Sequence, residues 1–247
     1  MSDVLLQAAV RVFSTGVPAL DKALGVDGWP RGRVVEISSH VREAQQALAL
    51  AAVAQAQKAG AVCAWVDCTH EFQVTAAEQA GVVLKDLLVA QPPEGLEQAL
   101  EITATLVNSG AVDLLVLANG ADAAGGAEAA GDAARASEGL LARLVSRMVR
   151  RLCTAVAHHG TLVLCTTRPA RRSGLAGGSH AAFNSALKFY ARVRVEVVAL
   201  HGMKAESPYP CWAQVLKNKL APPFLKSSFH ISQGVVVDDS NVEGARP

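Results

Sequence analysis

Short apolar runs alternate with long stretches of helix-forming residues along most of this chain. VVEIS (34–38) is a β-branched run and reads as a buried strand. Residues 43–59 (EAQQALALAAVAQAQKA) are strong helix formers, and Gly60 supplies the stop. AVCAWVD (61–67) reads as the next strand, followed by a helix at 72–80 ending at Gly81. LLVAQP (87–92) is a third strand halted by proline, residues 94–108 an amphipathic helix, and VDLLVLA (112–118) the most apolar strand of all. Strand and helix recur about every 25 residues, which implies βαβ crossovers and a parallel sheet.

The pattern then loosens. Residues 119–136 are rich in Gly, Ala and Asp and read as a loop, and a helix is expected over 137–158. Within that helix Arg143, Arg147, Arg150 and Arg151 fall at i, i+4, i+7 and i+8, on one face. Leu141, Leu144, Val145, Met148 and Leu152 are expected on the opposite face. TLVLCT (161–166) is a fifth strand, and 168–185 a second irregular, basic loop. The runs at 193–200, 211–218 and 235–239 alternate with turns and predict antiparallel edge strands near the C-terminus. The expected fold is α/β, with a mainly parallel central sheet flanked by helices. It forms one domain over 1–240, with 241–247 as a flexible tail.

Composition fits this layout: 51% of the residues are apolar and 4% aromatic, as suits a sheet covered by Ala-rich helices. No apolar stretch reaches membrane-spanning length, and the start lacks the marks of a signal peptide. Cys63, Cys68, Cys153, Cys165 and Cys211 form no CxxC pair and read as small core residues in a reducing compartment, so a cytoplasmic protein is expected. The net charge of +1 conceals an asymmetry. Residues 1–138 carry 17 acidic and 8 basic side chains, whereas residues 139–195 carry ten basic ones and no Asp or Glu. Such a run points to an anionic partner or an acidic protein surface.

In an open α/β sheet, ligands bind outside the carboxyl ends of the strands, which places a nucleotide site at the turn between strand 34–38 and helix 43–59. A phosphate loop there needs glycines, so that backbone N–H groups converge, a Lys for charge and a Ser/Thr for Mg²⁺. The turn reads Ser38-Ser39-His40-Val41-Arg42-Glu43-Ala44-Gln45-Gln46, with neither glycine nor lysine. Strand 112–118 ends in Ala118-Asn119, with no Asp to organise a metal. His40 and His70 lack further ligands at metal-binding spacing, so no metal site is expected.

Several segments resemble the bacterial RecA recombinases: FSTGVPALDKALGVDGWPRGRVVEIS (13–38), AQKAGAVCAWVD (56–67), LLVAQPPEGLEQALEI (87–102), LVNSGAVDLLVL (106–117), GLLARLVSRMVRRL (139–152), SALKFYARVRVEV (185–197) and LKNKLAPPF (216–224). The resemblance implies a RecA-like core. The family's phosphate loop, GPESSGKTT, aligns with residues 39–47. Its glycines fall on Ser39 and Ala44, its Lys on Gln45 and its metal-binding Thr on Gln46. The Glu of its DAEH segment falls on Thr69, its strand-end Asp on Ala118 and its nucleotide-sensing Gln on Thr167. These departures imply a chain without ATPase motifs, no bound cofactor and no enzyme activity. Lys217 and Lys219 stand where the family reaches across a subunit interface to a neighbour's ATP.

The family's DNA-binding loops fall on 119–138 and 168–185. The first is acidic here, and the second retains Arg168, Arg171, Arg172 and the aromatic Phe183 as candidates for single-stranded DNA. RecA proteins also have an N-terminal docking helix and strand and a separate C-terminal domain, neither of which is expected in this chain. A self-assembled ATP-dependent filament is therefore not expected. The resulting expectation is a non-catalytic RecA-like accessory protein of DNA repair and SOS (translesion) mutagenesis, of the ImuA type. It would bind RecA and/or an ImuB-like polymerase homologue, with Arg143, Arg147, Arg150, Arg151, Lys217 and Lys219 as partner-binding residues. The alternatives are a single-stranded DNA-binding recombination mediator and, less favoured by the segments above, a SulA-type cell-division inhibitor.

Overall fold

A computed structural model describes residues 10–119, 132–169, 178–199 and 207–237, with side chains of the helix that begins at 132 described from 139 onward. In chain order the elements are β1 (Val12–Phe13), α1 (Pro18–Leu24), β2 (Trp29–Pro30), β3 (Val34–Ser39), α2 (Arg42–Lys58), β4 (Cys63–Asp67) and α3 (Val74–Gln79). A 3-10 turn (Leu84–Asp86) leads into β5 (Leu87–Ala90), then α4 (Leu96–Asn108), β6 (Leu114–Ala118), α5 (Asp132–His159), β7 (Leu162–Thr167) and α6 (Gly178–Tyr190). Strands β8 (Val193–Ala199), β9 (Tyr209–Asn218), β10 (Lys226–Ser232) and β11 (Val235–Val237) complete the chain.

Nine strands form one sheet in the order β11-β10-β9-β8-β3-β7-β6-β4-β5. From β8 to β5 every neighbouring pair is parallel. The pairs β8–β9, β9–β10 and β10–β11 are antiparallel. The α/β expectation with an antiparallel edge therefore holds. Parallel strands are covered on both faces, which explains why β3, β4, β6 and β7 are buried throughout, without an alternating pattern. One core lies between the sheet and α2, where Ala44, Ala47, Leu48 and Ala52 pack beneath Val35, Ile37 and Trp65. The other holds α4, α5 and α6 against Val66, Leu115, Leu117 and Val163. A small ribbon, β1–β2, closes over the first core. Gly28 makes it possible: its φ is +149°, and a Cβ there would lie 2.4 Å from the Phe13 carbonyl oxygen.

The sequence reading assigned no element before residue 34, where β1, α1 and β2 lie, and three elements of the second half also differ from it. Residues 178–190 are helical, although loop had been expected as far as 185. The opening Gly-Ser and the central Asn184-Ser185 hide a helix stabilised by burying Phe183, Ala186 and Leu187. Strand β10 was not expected at all: in KSSFHIS only Phe229 and Ile231 mark the period of two, and pairing with both β9 and β11 holds it in place. Helix α5 starts at Asp132, earlier than the Ala/Gly-rich composition suggested. No described helix is long and apolar enough to cross a membrane.

Candidate functional site

The carboxyl ends of β3, β4, β6 and β7 converge where the sequence placed a nucleotide site. At the end of β3, the Ser39 hydroxyl accepts the Val41 N–H at 3.1 Å, and Val41 is extended (φ −101°, ψ 109°) as it enters α2. No residue between Arg33 and Ala59 has positive φ, so the backbone does not fold into a nest of converging N–H groups. Arg42 is tied to Glu71 in an ion pair, which commits the cation nearest the turn to a carboxylate of this chain. Ala44 and Gln45 are buried, Gln46 is half-buried, and the Gln45 Oε1 has no hydrogen-bond partner.

Asp67 organises the end of β4. Fully buried, it accepts hydrogen bonds from the Thr69 N–H (2.9 Å), the Thr69 hydroxyl (2.6 Å), the Glu71 and Phe72 N–H groups (2.8 and 2.9 Å) and the Gln91 amide (3.2 Å). The Thr69 hydroxyl is thus spent on holding the Asp67 turn. Ala118 is buried at the end of β6, and its carbonyl receives the Cys68 N–H at 3.0 Å. One residue on, Asn119 Oδ1 meets His180 Nδ1 from α6. Burial holds the His180 imidazole below its ordinary value, with Glu97 acting in the opposite sense. At the end of β7, the Thr167 hydroxyl donates to the buried Glu36 Oε1 at 2.8 Å, and Arg194 from β8 donates to Glu36 Oε2. These side chains do not fit a triphosphate and its Mg²⁺ in the manner of a glycine-rich phosphate loop. They lack the backbone cradle, the lysine and the metal-binding carboxylate.

The remaining sequence candidates separate in space. Arg143, Arg147, Arg150 and Arg151 are all exposed on α5. The expected inner face needs one correction: Leu144 is 44% exposed, and Val149, which lies nearer the centre of the inward arc, packs in its place. Phe183 is also corrected. It is fully buried in the core beside α5 and cannot offer its ring to a base. Arg168 is half-buried, with its carbonyl accepting from Asn184 at 3.1 Å, while Arg171 and Arg172 lie outside the described residues, as do the side chains of 120–138 in the expected first DNA loop.

Lys217 turns inward. Its ammonium donates to the carbonyls of Lys188 and Phe189, both at 2.9 Å, capping the last turn of α6. Burial lowers its pKa, and Lys219, Arg194 and Arg192 add to that effect. Lys219 alone of the two is exposed. Burial raises the Cys63, Cys68 and Cys211 thiols to about 12 and Cys153 to about 11, which favours the protonated thiol over the nucleophilic thiolate. Among the described residues no three His, Cys, Asp or Glu side chains cluster as a metal site would require. Sequence reasoning missed Glu36, Asp67, His180 and Arg194. Glu36 and Asp67 could have been found as the lone acids of apolar strands, where burial demands partners.

A family model for the RecA N-terminal domain matches residues 3–238. The chain belongs to the RecA family. It is 40% identical over 230 residues to Protein RecA of Rhizobium leguminosarum bv. trifolii, covering 91% of this chain and 63% of that protein. It is also 40% identical to Protein RecA 1 of Myxococcus xanthus, covering 91% of this chain and 67% of that one. The chain thus spans about 63% of the length of the Rhizobium relative. In fold it is similar to the RadB recombinase, with a TM-score of 0.65 at 18% identity, covering 92% of this chain and 99% of that one.

The expectation that the chain is not an enzyme is corrected by its membership of the RecA family: over 91% of its length it is 40% identical to proteins named RecA, and the RecA N-terminal domain model spans residues 3–238.

Proposed function

We propose that this RecA-family chain serves DNA repair in SOS (translesion) mutagenesis, and that it works by binding RecA and/or an ImuB-like polymerase homologue. The observation that supports this reading most is the exposed row of arginines on α5, a strongly cationic surface on a RecA-family scaffold. It lies within a stretch, 139–195, that contains no acid to neutralise it. Exposed Lys219 adds a cation just after β9.

The test is a titration of the purified chain against purified RecA and the polymerase homologue by sedimentation velocity and calorimetry. The expected result is a one-to-one complex with one of them, at micromolar affinity or tighter, weakened by raised salt. Failure to bind either partner overturns the reading. A second reading, a recombination mediator that binds single-stranded DNA, draws instead on Arg168, Arg171 and Arg172, which follow β7 in sequence. An oligonucleotide gel shift at low salt, abolished by replacing Arg168, Arg171 and Arg172 together, is its expected mark.

A further inference from the structure

The outward side of α5 bears more than charge. Its inner face is formed by Val145, Val149, Leu152 and Val156, each no more than 2% exposed. On the outer side Leu140 is 66% and Leu144 44% exposed, one helical turn apart, among exposed Arg143, Arg147 and Arg151. At 3.6 residues per turn these five side chains share an arc of roughly 100° and a stripe about 16 Å long. Among the described residues none of these arginines pairs with a carboxylate. Two exposed leucines beside guanidinium groups that have no carboxylate partner among the described residues are complementary to a surface that offers both methyl groups and carboxylates.

That combination separates two kinds of partner. A nucleic acid would use the arginines but has little use for aliphatic leucines, since bases stack on planar rings and guanidinium groups. An acidic amphipathic helix uses both. Its apolar side chains bury Leu140 and Leu144, and its Glu or Asp side chains take bidentate hydrogen bonds from the arginines. We infer that the Leu140–Leu144 stripe of α5 docks an acidic, leucine-bearing helical segment of a partner protein, with Arg143, Arg147 and Arg151 holding its carboxylates. This deepens, and rests on, the reading that the chain works through partner contact.

The test uses the full chain and a labelled synthetic peptide with leucines at i and i+4 surrounded by glutamates, read by fluorescence anisotropy. The peptide is expected to bind, and its counterpart with lysines for glutamates is not. Leu140→Ser with Leu144→Ser, and separately Arg143→Glu with Arg147→Glu, are each expected to weaken binding by at least about tenfold. Because all four side chains are exposed, both variants keep the wild-type circular dichroism and unfolding midpoint. The charge-reversed variant is expected to accept the lysine peptide instead. Equal binding of both peptides, or glutamate-peptide binding indifferent to the leucines, overturns the inference. So does binding confined to a single-stranded oligonucleotide.

The two proposals fail separately. If RecA or the polymerase homologue binds the wild type and the leucine variant equally, this surface is wrong and the proposed function stands. If neither binds the wild type while the acidic peptide still docks on the stripe, the reverse holds.

Discussion

Glu36 stands in the middle of β3 with 3% of its surface exposed, between β7 and β8, which supply Thr167 and Arg194 as its partners. An isolated carboxylate there would be expensive to desolvate, and the Thr167 hydroxyl and the Arg194 guanidinium together offset that cost. Removing one partner leaves the other buried and unmatched. Glu36→Ala is therefore expected to destabilise the protein by about 3–5 kcal/mol, and Thr167→Val by about 1 kcal/mol, measured by urea unfolding. Equal effects for the two would show that the Arg194 pair contributes nothing beyond the hydroxyl bond.

His180 gives a prediction in pH. Its folded pKa is depressed below 6.5, chiefly by burial, so the unfolded chain takes up a proton more readily than the folded one. Stability is then full above 6.5 and falls as the pH drops through that value. The urea midpoint of the wild type is expected to fall between about pH 7.5 and pH 5.5, and that of His180→Gln to fall less. Identical slopes would remove His180 from the acid response. The sequence could show that the nucleotide-handling positions were altered, because Gln45 and Gln46 sit at fixed offsets in one short motif and Thr69 in another. It could not show what replaced them. Glu36, Thr167 and Arg194 meet across 131 and 158 residues of chain, a juxtaposition that only the strand order creates.

At the scale of elements, α5 is the test of helical periodicity. The arginine face is legible from spacing alone, because four charges at i, i+4, i+7 and i+8 cannot face a core. The apolar face is less so. Leucine is apolar wherever it sits, and Leu144 lies about 100° from Arg143, near enough to the edge of the buried arc to be misassigned. The structure assigns the inward positions to Val145, Val149, Leu152 and Val156. Val149→Ala is accordingly expected to cost about 1–3 kcal/mol, whereas Leu144→Ala stays within about 0.5 kcal/mol of wild type in thermal or urea unfolding. The opposite ranking would rotate the helix and dissolve the docking stripe. Helix α6 shows the complementary failure of pattern reading. Its Gly, Ser and Asn residues disguise it as loop, yet it is fixed at both ends by contacts distant in sequence, His180 with Asn119 and Lys217 with the carbonyls of Lys188 and Phe189.

For the molecule as a whole, the parallel part of the sheet follows from the strand–helix rhythm, while its two edges are set by strand order and are invisible to local pattern. One edge, β11, is three residues long and so offers little to an incoming strand. The other, β5, pairs only with β4 among the described residues and carries no charge between Leu87 and Ala90. Leu88 is 51% and Val89 39% exposed on it, pointing to opposite faces as neighbours in a strand must. Natural edge strands are usually guarded by lysine, proline, a bulge or a covering helix, and here the guards stand only outside the strand, at Asp86 and at Pro92-Pro93. The chain is therefore expected to self-associate through β5 as its concentration rises, seen as a growing weight-average sedimentation coefficient. Leu88→Lys, at an exposed position, is expected to suppress that growth without lowering the unfolding midpoint. Salt separates this contact from the α5 stripe: edge pairing rests on backbone hydrogen bonds and apolar burial and persists at raised ionic strength, whereas contacts made by exposed arginines fade as the Debye length shortens. Self-association that disappears in salt, or that Leu88→Lys leaves untouched, would assign the contact to the charged surface and not to the sheet edge.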